Sequence, residues 1–223
     1  MVGRESLMDD ARFVDVAFPA RGGEIPADHA AEVYGAVCRV APELHGADGM
    51  GIFPVRGLHL PGRRLRLTEA SRLRIRLPAE CIGQVLVLAG KRLSIDDRSV
   101  SLGTPSVRLL EPCADMQSRL VIIKGFMEKE PFLDAVRRQL VALECDGTAS
   151  TPEVTGARSF EGGETRELGD PLRRTLSIHG REIVGFAVHV TGLSANSSLR
   201  LQARGIGGRR RYGCGLFTPL PET

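Results

Sequence analysis

A strand–helix–strand–strand–helix–strand pattern runs through residues 12–110 of the chain and then starts again. Arg12-Phe-Val-Asp-Val-Ala-Phe18 reads as a largely buried strand, closed by a turn at Arg21-Gly-Gly-Glu. Pro26 and Asp28 introduce a helix that carries Val33, Tyr34, Val37, Cys38 and Ala41 at helical spacing. Residues 51–57 form a strand that Pro54 interrupts. Arg64-Leu-Arg-Leu67 and Arg72-Leu-Arg-Ile-Arg-Leu77 alternate strictly and read as two strands with residues 68–71 as the turn between them. Pro78 opens a second helix through Ile82, Val85 and Leu88, stopped by Gly90. Residues 93–95 and 106–110 supply the final strand or hairpin.

After a polar connector at residues 112–118, Arg119-Leu-Val-Ile-Ile-Lys124 restarts the order as a short buried strand. Pro131 opens a helix with Phe132, Val136, Leu140 and Leu143 on one face and Arg137 and Arg138 on the other. Residues 146–172, rich in Gly, Thr and Glu, read as a loop with a weak edge strand. Residues 175–178 and 183–190 flank His179-Gly-Arg-Glu182 as a hairpin. Ser194 caps a helix over residues 195–203, and residues 215–218 close as a last strand. Two such units in tandem define an α+β chain of two ferredoxin-like domains, with boundaries at 1–113 and 114–223.

Between the last helix and last strand lies Gly205-Ile-Gly-Gly-Arg-Arg-Arg-Tyr-Gly-Cys-Gly-Leu-Phe217, with Arg204 before it. Gly205, Gly207, Gly208, Gly213 and Gly215 permit positive φ and close backbone approach. Arg209, Arg210 and Arg211 carry permanent charge on planar forks that match phosphate oxygens. No Gly-Lys-Ser or Gly-Lys-Thr occurs, and this loop leaves a helix for a strand, so a P-loop is excluded. The stretch is either a polyanion site, with nucleic acid as the first partner, or a glycine-rich turn with solvated arginines.

A second basic cluster comprises Arg63, Arg64, Arg66, Arg72, Arg74 and Arg76. If the two alternating strands pair, these side chains form one positive patch; otherwise they are the solvated face of a sheet. Net charge is only +3, so the clustering of arginine carries the signal rather than the total. The absence of tryptophan, with aromatics at 4%, excludes recognition through broad aromatic stacking platforms.

Five dispersed cysteines without CxxC or Cys/His spacing exclude structural zinc and fit a reduced, cytoplasmic protein. No apolar run is long enough to span a membrane and no signal core opens the chain, so no membrane partner is expected. Asp9-Asp10 and Asp96-Asp97 lack a third ligand, which disfavours a two-metal nuclease. Among the histidines, His179 and His189 read as structural, and His59 belongs to no metal pattern. His29 falls in the first turn of the first helix, facing solvent. His45 follows that helix in a glycine-containing segment, where a histidine exchanges protons near neutral pH.

The glycine-arginine stretch resembles the glycine-rich signature of the CRISPR repeat-processing endoribonucleases. These are the sixth family of CRISPR-associated (Cas) proteins, within the RAMP superfamily. The resemblance extends through residues 121–126, 184–188, Pro26-Ala-Asp-His29, residues 34–36 and Leu44-His45, and is similar in this to the Myxococcus-type subgroup. It implies metal-independent cleavage of precursor CRISPR RNA within its repeats, without cofactor, by attack of a 2′-hydroxyl that leaves a 2′,3′-cyclic phosphate. It further implies a product kept bound at its repeat hairpin and a place among other Cas subunits of a type I effector complex. A non-catalytic repeat-binding subunit of such a complex is the alternative. By the resemblance, His45 is the acid/base, with His29 as the alternative. Some relatives carry a helix tyrosine and a later lysine where this chain has Cys38 and Gly51, so Tyr34 and Arg56 are the substitutes. The arginines from 204 to 211, with Arg56, Arg64, Arg66, Arg72 and Arg74, then contact RNA.

Overall fold

A computed structural model describes residues 13–153, 171–178 and 180–221. They form two compact units. The first holds the described residues up to Glu111 together with Leu176–Glu182 and Arg209–Gly213; the second holds Pro112–Thr175, Ile183–Gly208 and the residues from Cys214 onward. Sequence order assigns the whole glycine-arginine stretch to the second half, whereas in space Arg209–Gly213 belongs to the first unit.

The first unit contains β1 (Phe13–Arg21), β2 (Glu24–Pro26), α1 (Ala30–Val40), β3 (Gly51–Ile52), β4 (Leu58–Leu60), β5 (Arg64–Arg66), β6 (Arg72–Pro78), α2 (Ile82–Leu86), β7 (Arg92–Ile95), β8 (Arg98–Leu102) and β9 (Ser106–Leu109). β1 is central. It pairs antiparallel with β6 from Phe13↔Pro78 to Pro19↔Arg72, and on its other edge with β9 and then β8. β3 continues beyond β6, so the order β3-β6-β1-β9 is that of a ferredoxin-like sheet. Alternation along β1 and β6 sends Val14, Val16, Phe18, Leu73, Ile75 and Leu77 into the core with Val33 and Val37 of α1. β3 stops after two residues, where Pro54 follows with no N–H to extend the ladder.

The expected pairing of the two arginine-rich strands does not occur. β5 pairs with β2 and β4 in a separate three-stranded sheet, while β6 belongs to the main sheet. Ser71 makes the corner: its hydroxyl accepts from Thr68 N at 2.9 Å and donates to Arg56 O at 2.6 Å, and its carbonyl accepts from Ala20 N. The chain therefore turns onto β1. The second helix is also shorter than its pattern, with a 3₁₀ turn (Ala79–Cys81) leading into α2.

The second unit follows with β10 (Met116–Val121), α3 (Lys129–Ala142), β11 (Thr148–Ser150), the first part of β12 (Arg173–Ile178), β13 (Arg181–Thr191) from Ile183 onward, α4 (Ala195–Arg204) and β14 (Thr218–Pro219). Its sheet order, β11-β13-β10-β14, repeats the ferredoxin-like order, and the α+β class with two such folds in tandem holds. Phe132, Val136 and Leu140 of α3 pack on Phe186, Val188 and Val190 of β13. Ser194 caps α4 as its side chain accepts from Ser197 N. β10 starts before Arg119 and ends at Val121, earlier than the apolar run suggests. Residues 154–170 of the long loop, Asp9-Asp10 and His179 lie outside the described residues.

Candidate active site

α1 ends at Val40, a 3₁₀ turn (Pro42–Leu44) follows, and buried Leu44 anchors it. His45 comes next, exposed, at the start of a segment that contains two left-handed glycines, Gly46 (φ 75°) and Gly49 (φ 73°). This segment is held against the helix it has just left: Gly46 N donates to Tyr34 Oη at 3.1 Å. The Tyr34 and His45 ring centroids are 6.1 Å apart. Tyr34 is buried, with only 7% of its surface exposed, so its hydroxyl serves the backbone here.

Arg210–Tyr212 forms a 3₁₀ turn on the same helix, bracketed by left-handed Arg209 and Gly213. Tyr212 meets Tyr34 edge to face at 5.4 Å, which brings together the only two tyrosines of the chain. The Arg211 guanidinium carbon stands 5.4 Å from both ring centroids. Arg210 Nη2 donates to Gly49 O at 3.3 Å. Gly213 is required at its position, since a Cβ there would lie 2.8 Å from Pro54 Cδ and φ is 84°. An exposed imidazole, exposed Arg211 and the Tyr212 ring thus gather around Tyr34 of α1, with exposed Arg209 at the start of the arginine turn. Beside them, burial pushes the Cys38 thiol up, against opposing pulls from the Tyr34 hydroxyl and the Arg211 charge.

His29 departs from its expected solvent exposure. It is 4% exposed, its Nδ1 bonds to Pro26 O at 2.8 Å, and its Nε2 accepts from Val55 N at 3.0 Å. As an N-cap without a side-chain cap bond, it turns inward and ties the start of α1 to the chain beyond β3.

The remaining arginines are dispersed. Arg64 and Arg66 both pair with Glu24, at 3.3 and 3.2 Å. Arg72 donates to Glu69 O and Ser71 O. Arg74 lies 3.6 Å over the Phe53 ring and 3.7 Å from Asp15. Burial pushes it down to about 10; Asp15 opposes this, and Arg76, Arg56 and Arg108 add to it. Arg76 is buried rather than solvated: Nε and Nη2 reach Asp15 Oδ1 and Oδ2 at 2.7 and 2.9 Å. Arg56 and Arg204 are exposed.

The glycines act differently from the arginines between them. In the second unit, the N–H groups of Gly205, Gly207, Gly208 and Gly215 bond to Leu201 O, Gln139 Oε1, Ile122 O and Leu120 O. Gly213 N, in the first unit, bonds to Arg210 O. All five amides serve the protein itself. Left-handed φ and close backbone contact explain Gly207 and Gly215, where a Cβ would collide with Ile122 O and Ile206 O respectively. The charge for a ligand therefore comes from side chains, not from a backbone cradle. Sequence reasoning missed Tyr212 and Arg210's bond to Gly49; an aromatic following three arginines was the available signal.

Among the described residues, no three His, Cys, Asp or Glu side chains gather as a metal site, and no helix is long and apolar enough to cross a membrane.

The Cas6 family model, described as Cas6 Crispr, matches residues 14–222. The CRISPR-associated endonuclease Cas6 of Myxococcus xanthus (strain DK1622) is 39% identical over 207 residues, covering 93% of this chain and 81% of that protein. The product of a Cas6-related gene from Pyrococcus furiosus superposes with a TM-score of 0.66 at 12% identity, over 95% of this chain and 100% of that one. A RAMP protein binding different RNA substrates gives 0.62 at 12% identity, over 94% and 99%. At such identities the two structures speak for the fold alone, whereas the family match and the Myxococcus relative run along nearly the whole sequence. The chain belongs to the Cas6 family of CRISPR-associated endonucleases.

Proposed function

We propose that this protein is a metal-independent endoribonuclease that cuts precursor CRISPR RNA within its repeats and stays on the repeat hairpin of its product. The observation that carries the reading is the gathering of His45, Arg211 and Tyr212 around Tyr34 of α1, from distant parts of the sequence. In the reaction, the 2′-oxygen upstream of the cut forms a bond to phosphorus as its proton leaves to a base. The P–O5′ bond breaks, and the 5′-oxygen takes a proton. The products are a 2′,3′-cyclic phosphate and a 5′-hydroxyl. His45 serves one of these transfers, as imidazole toward the 2′-hydroxyl or as imidazolium toward the 5′-oxygen, with water serving the other. Arg211 and Arg209 offer fixed positive charge where the phosphorane gains negative charge. His29 is the poorer acid/base, because both ring nitrogens are committed to backbone groups. The proposed setting is the cytoplasm, alongside other Cas subunits of a type I effector complex.

The test is a labelled repeat RNA incubated in EDTA with wild type and with His45→Ala. The expected result is cutting by wild type and at least about a hundredfold less by the variant. Undiminished cutting by His45→Ala overturns the assignment of His45. Wild type that binds without cutting identifies a non-catalytic repeat-binding subunit instead. A 2′-deoxy substitution at the cut site should abolish cleavage and spare binding; continued cutting rejects the nucleophile.

A further inference from the structure

Besides the local turn bonds of His45 N to Pro42 O at 3.0 Å and Ala47 N to Leu44 O at 3.3 Å, the segment after His45 is tied once to α1 and once to the arginine turn. At its start, Gly46 N is held by Tyr34 Oη at 3.1 Å; at its far side, Gly49 O is held by Arg210 Nη2 at 3.3 Å. Both anchors belong to one packed group. Tyr34 lies against Tyr212, two residues beyond Arg210, and Arg211 spans both rings. The two anchored glycines, 46 and 49, adopt left-handed φ. A short segment of this kind has little stiffness of its own, so the position of His45 depends on what clasps it. Arg210 is half-buried and turned toward the segment, while its neighbours Arg209 and Arg211 are exposed.

We propose that Arg210 is a positioning residue rather than an RNA ligand: its grip on Gly49 couples the arginine turn to the His45 segment. This rests on the proposed role of His45. The consecutive arginines then divide their work. Arg209 and Arg211 meet the substrate, and Arg210 passes the placement of their turn to the proton-transfer group. A substrate that seats the arginine turn also seats His45. RNA lacking those contacts meets a less ordered imidazole, and a small misplacement of a reacting group is costly in rate.

The test combines a double-mutant cycle with hydrogen exchange. Single-turnover cleavage of repeat RNA in EDTA is measured for wild type, Arg210→Ala, His45→Ala and the double variant, with RNA affinity measured alongside. Arg210→Ala should slow cleavage about 10- to 100-fold with affinity unchanged. In the His45→Ala background, the same substitution should cost little. Equal losses in both backgrounds overturn the proposal. So does weaker RNA binding with a shallower salt dependence, because that pattern marks a direct phosphate contact. Without RNA, amide exchange across residues 46–50 should be at least about tenfold faster in Arg210→Ala than in wild type; unchanged exchange also overturns the proposal. The exchange result stands apart from activity. If His45→Ala cuts like wild type, the role of His45 falls, and exchange alone decides whether Arg210 clasps the segment.

Discussion

Arg76 and Asp15 face each other across β6 and β1 in register, joined by two hydrogen bonds of 2.7 and 2.9 Å. The arginine side chain is 2% exposed, so its charge depends on this carboxylate. Removing one partner of a buried pair leaves an uncompensated ion. Asp15→Ala should therefore cost about 3–5 kcal/mol, read as a lowered urea midpoint. Replacing both residues by leucine should recover much of that loss. A loss in the double variant as large as in the single one would show that packing, not charge, sets the cost.

His29→Ala separates a structural histidine from a catalytic one. The change strands Val55 N and Pro26 O, and should destabilise the fold by about 2–4 kcal/mol. Cleavage per folded molecule should stay at the wild-type rate, in contrast to His45→Ala. A large rate loss in fully folded His29→Ala would return His29 to the chemistry.

Gly208 and Gly215 should respond differently to alanine. Gly215 has φ 67°, and its added methyl group would meet the Ile206 carbonyl. The expected cost is about 2–4 kcal/mol. Gly208 has open space around it and an ordinary φ, so the same change should stay within about 0.5 kcal/mol. Thermal melts of the two variants decide the point; equal shifts would refute this account of why the stretch is rich in glycine.

Asp146 contributes to acid sensitivity. Ser197, chiefly, and the Ser194 N–H at 3.0 Å hold its carboxyl below the ordinary carboxylate value. The folded state thus binds the proton less tightly than the unfolded chain. Its stabilisation is present above about pH 4 and is lost as pH falls through the lower folded value. Asp146→Asn should be the less stable protein near neutral pH. The gap to wild type should close in acid, as measured by urea midpoints between pH 6 and 2. A constant gap at every pH would assign the effect to geometry rather than ionisation.

Local chemistry made much of the fold readable in advance. The alternation of residues 72–77, the helical spacing from Val33 to Val37 and the Ser194 cap each specify an element through contacts within a few residues. Tertiary choices were not readable in this way. Alternation places Arg76 on the face opposite Leu77, but not whether that face meets water or Asp15. The turn at residues 68–71 predicts a hairpin, yet β1 offered β6 a seven-residue register that β5 could not match. His29 looked exposed because its partners, Pro26 O and Val55 N, are backbone groups with no signature. The gathering of Tyr34, His45 and Tyr212 joins residues from the two ends of the chain, and no periodicity records such a meeting.

The membership of Arg209–Gly213 in the first unit bears on how proteins of this design can be recombined. A chimera spliced at residue 111 joins a head from one homologue to a tail from another. It would carry the five residues Arg209–Gly213 of the head's structure, besides Leu176–Glu182, in the wrong gene segment. Those five hold Arg210 and Tyr212, so the imported turn would meet a foreign Gly49 and a foreign Tyr34. Halves of this chain are consequently not interchangeable parts, and drift at position 49 or 34 is answerable to Arg210 and Tyr212 far downstream.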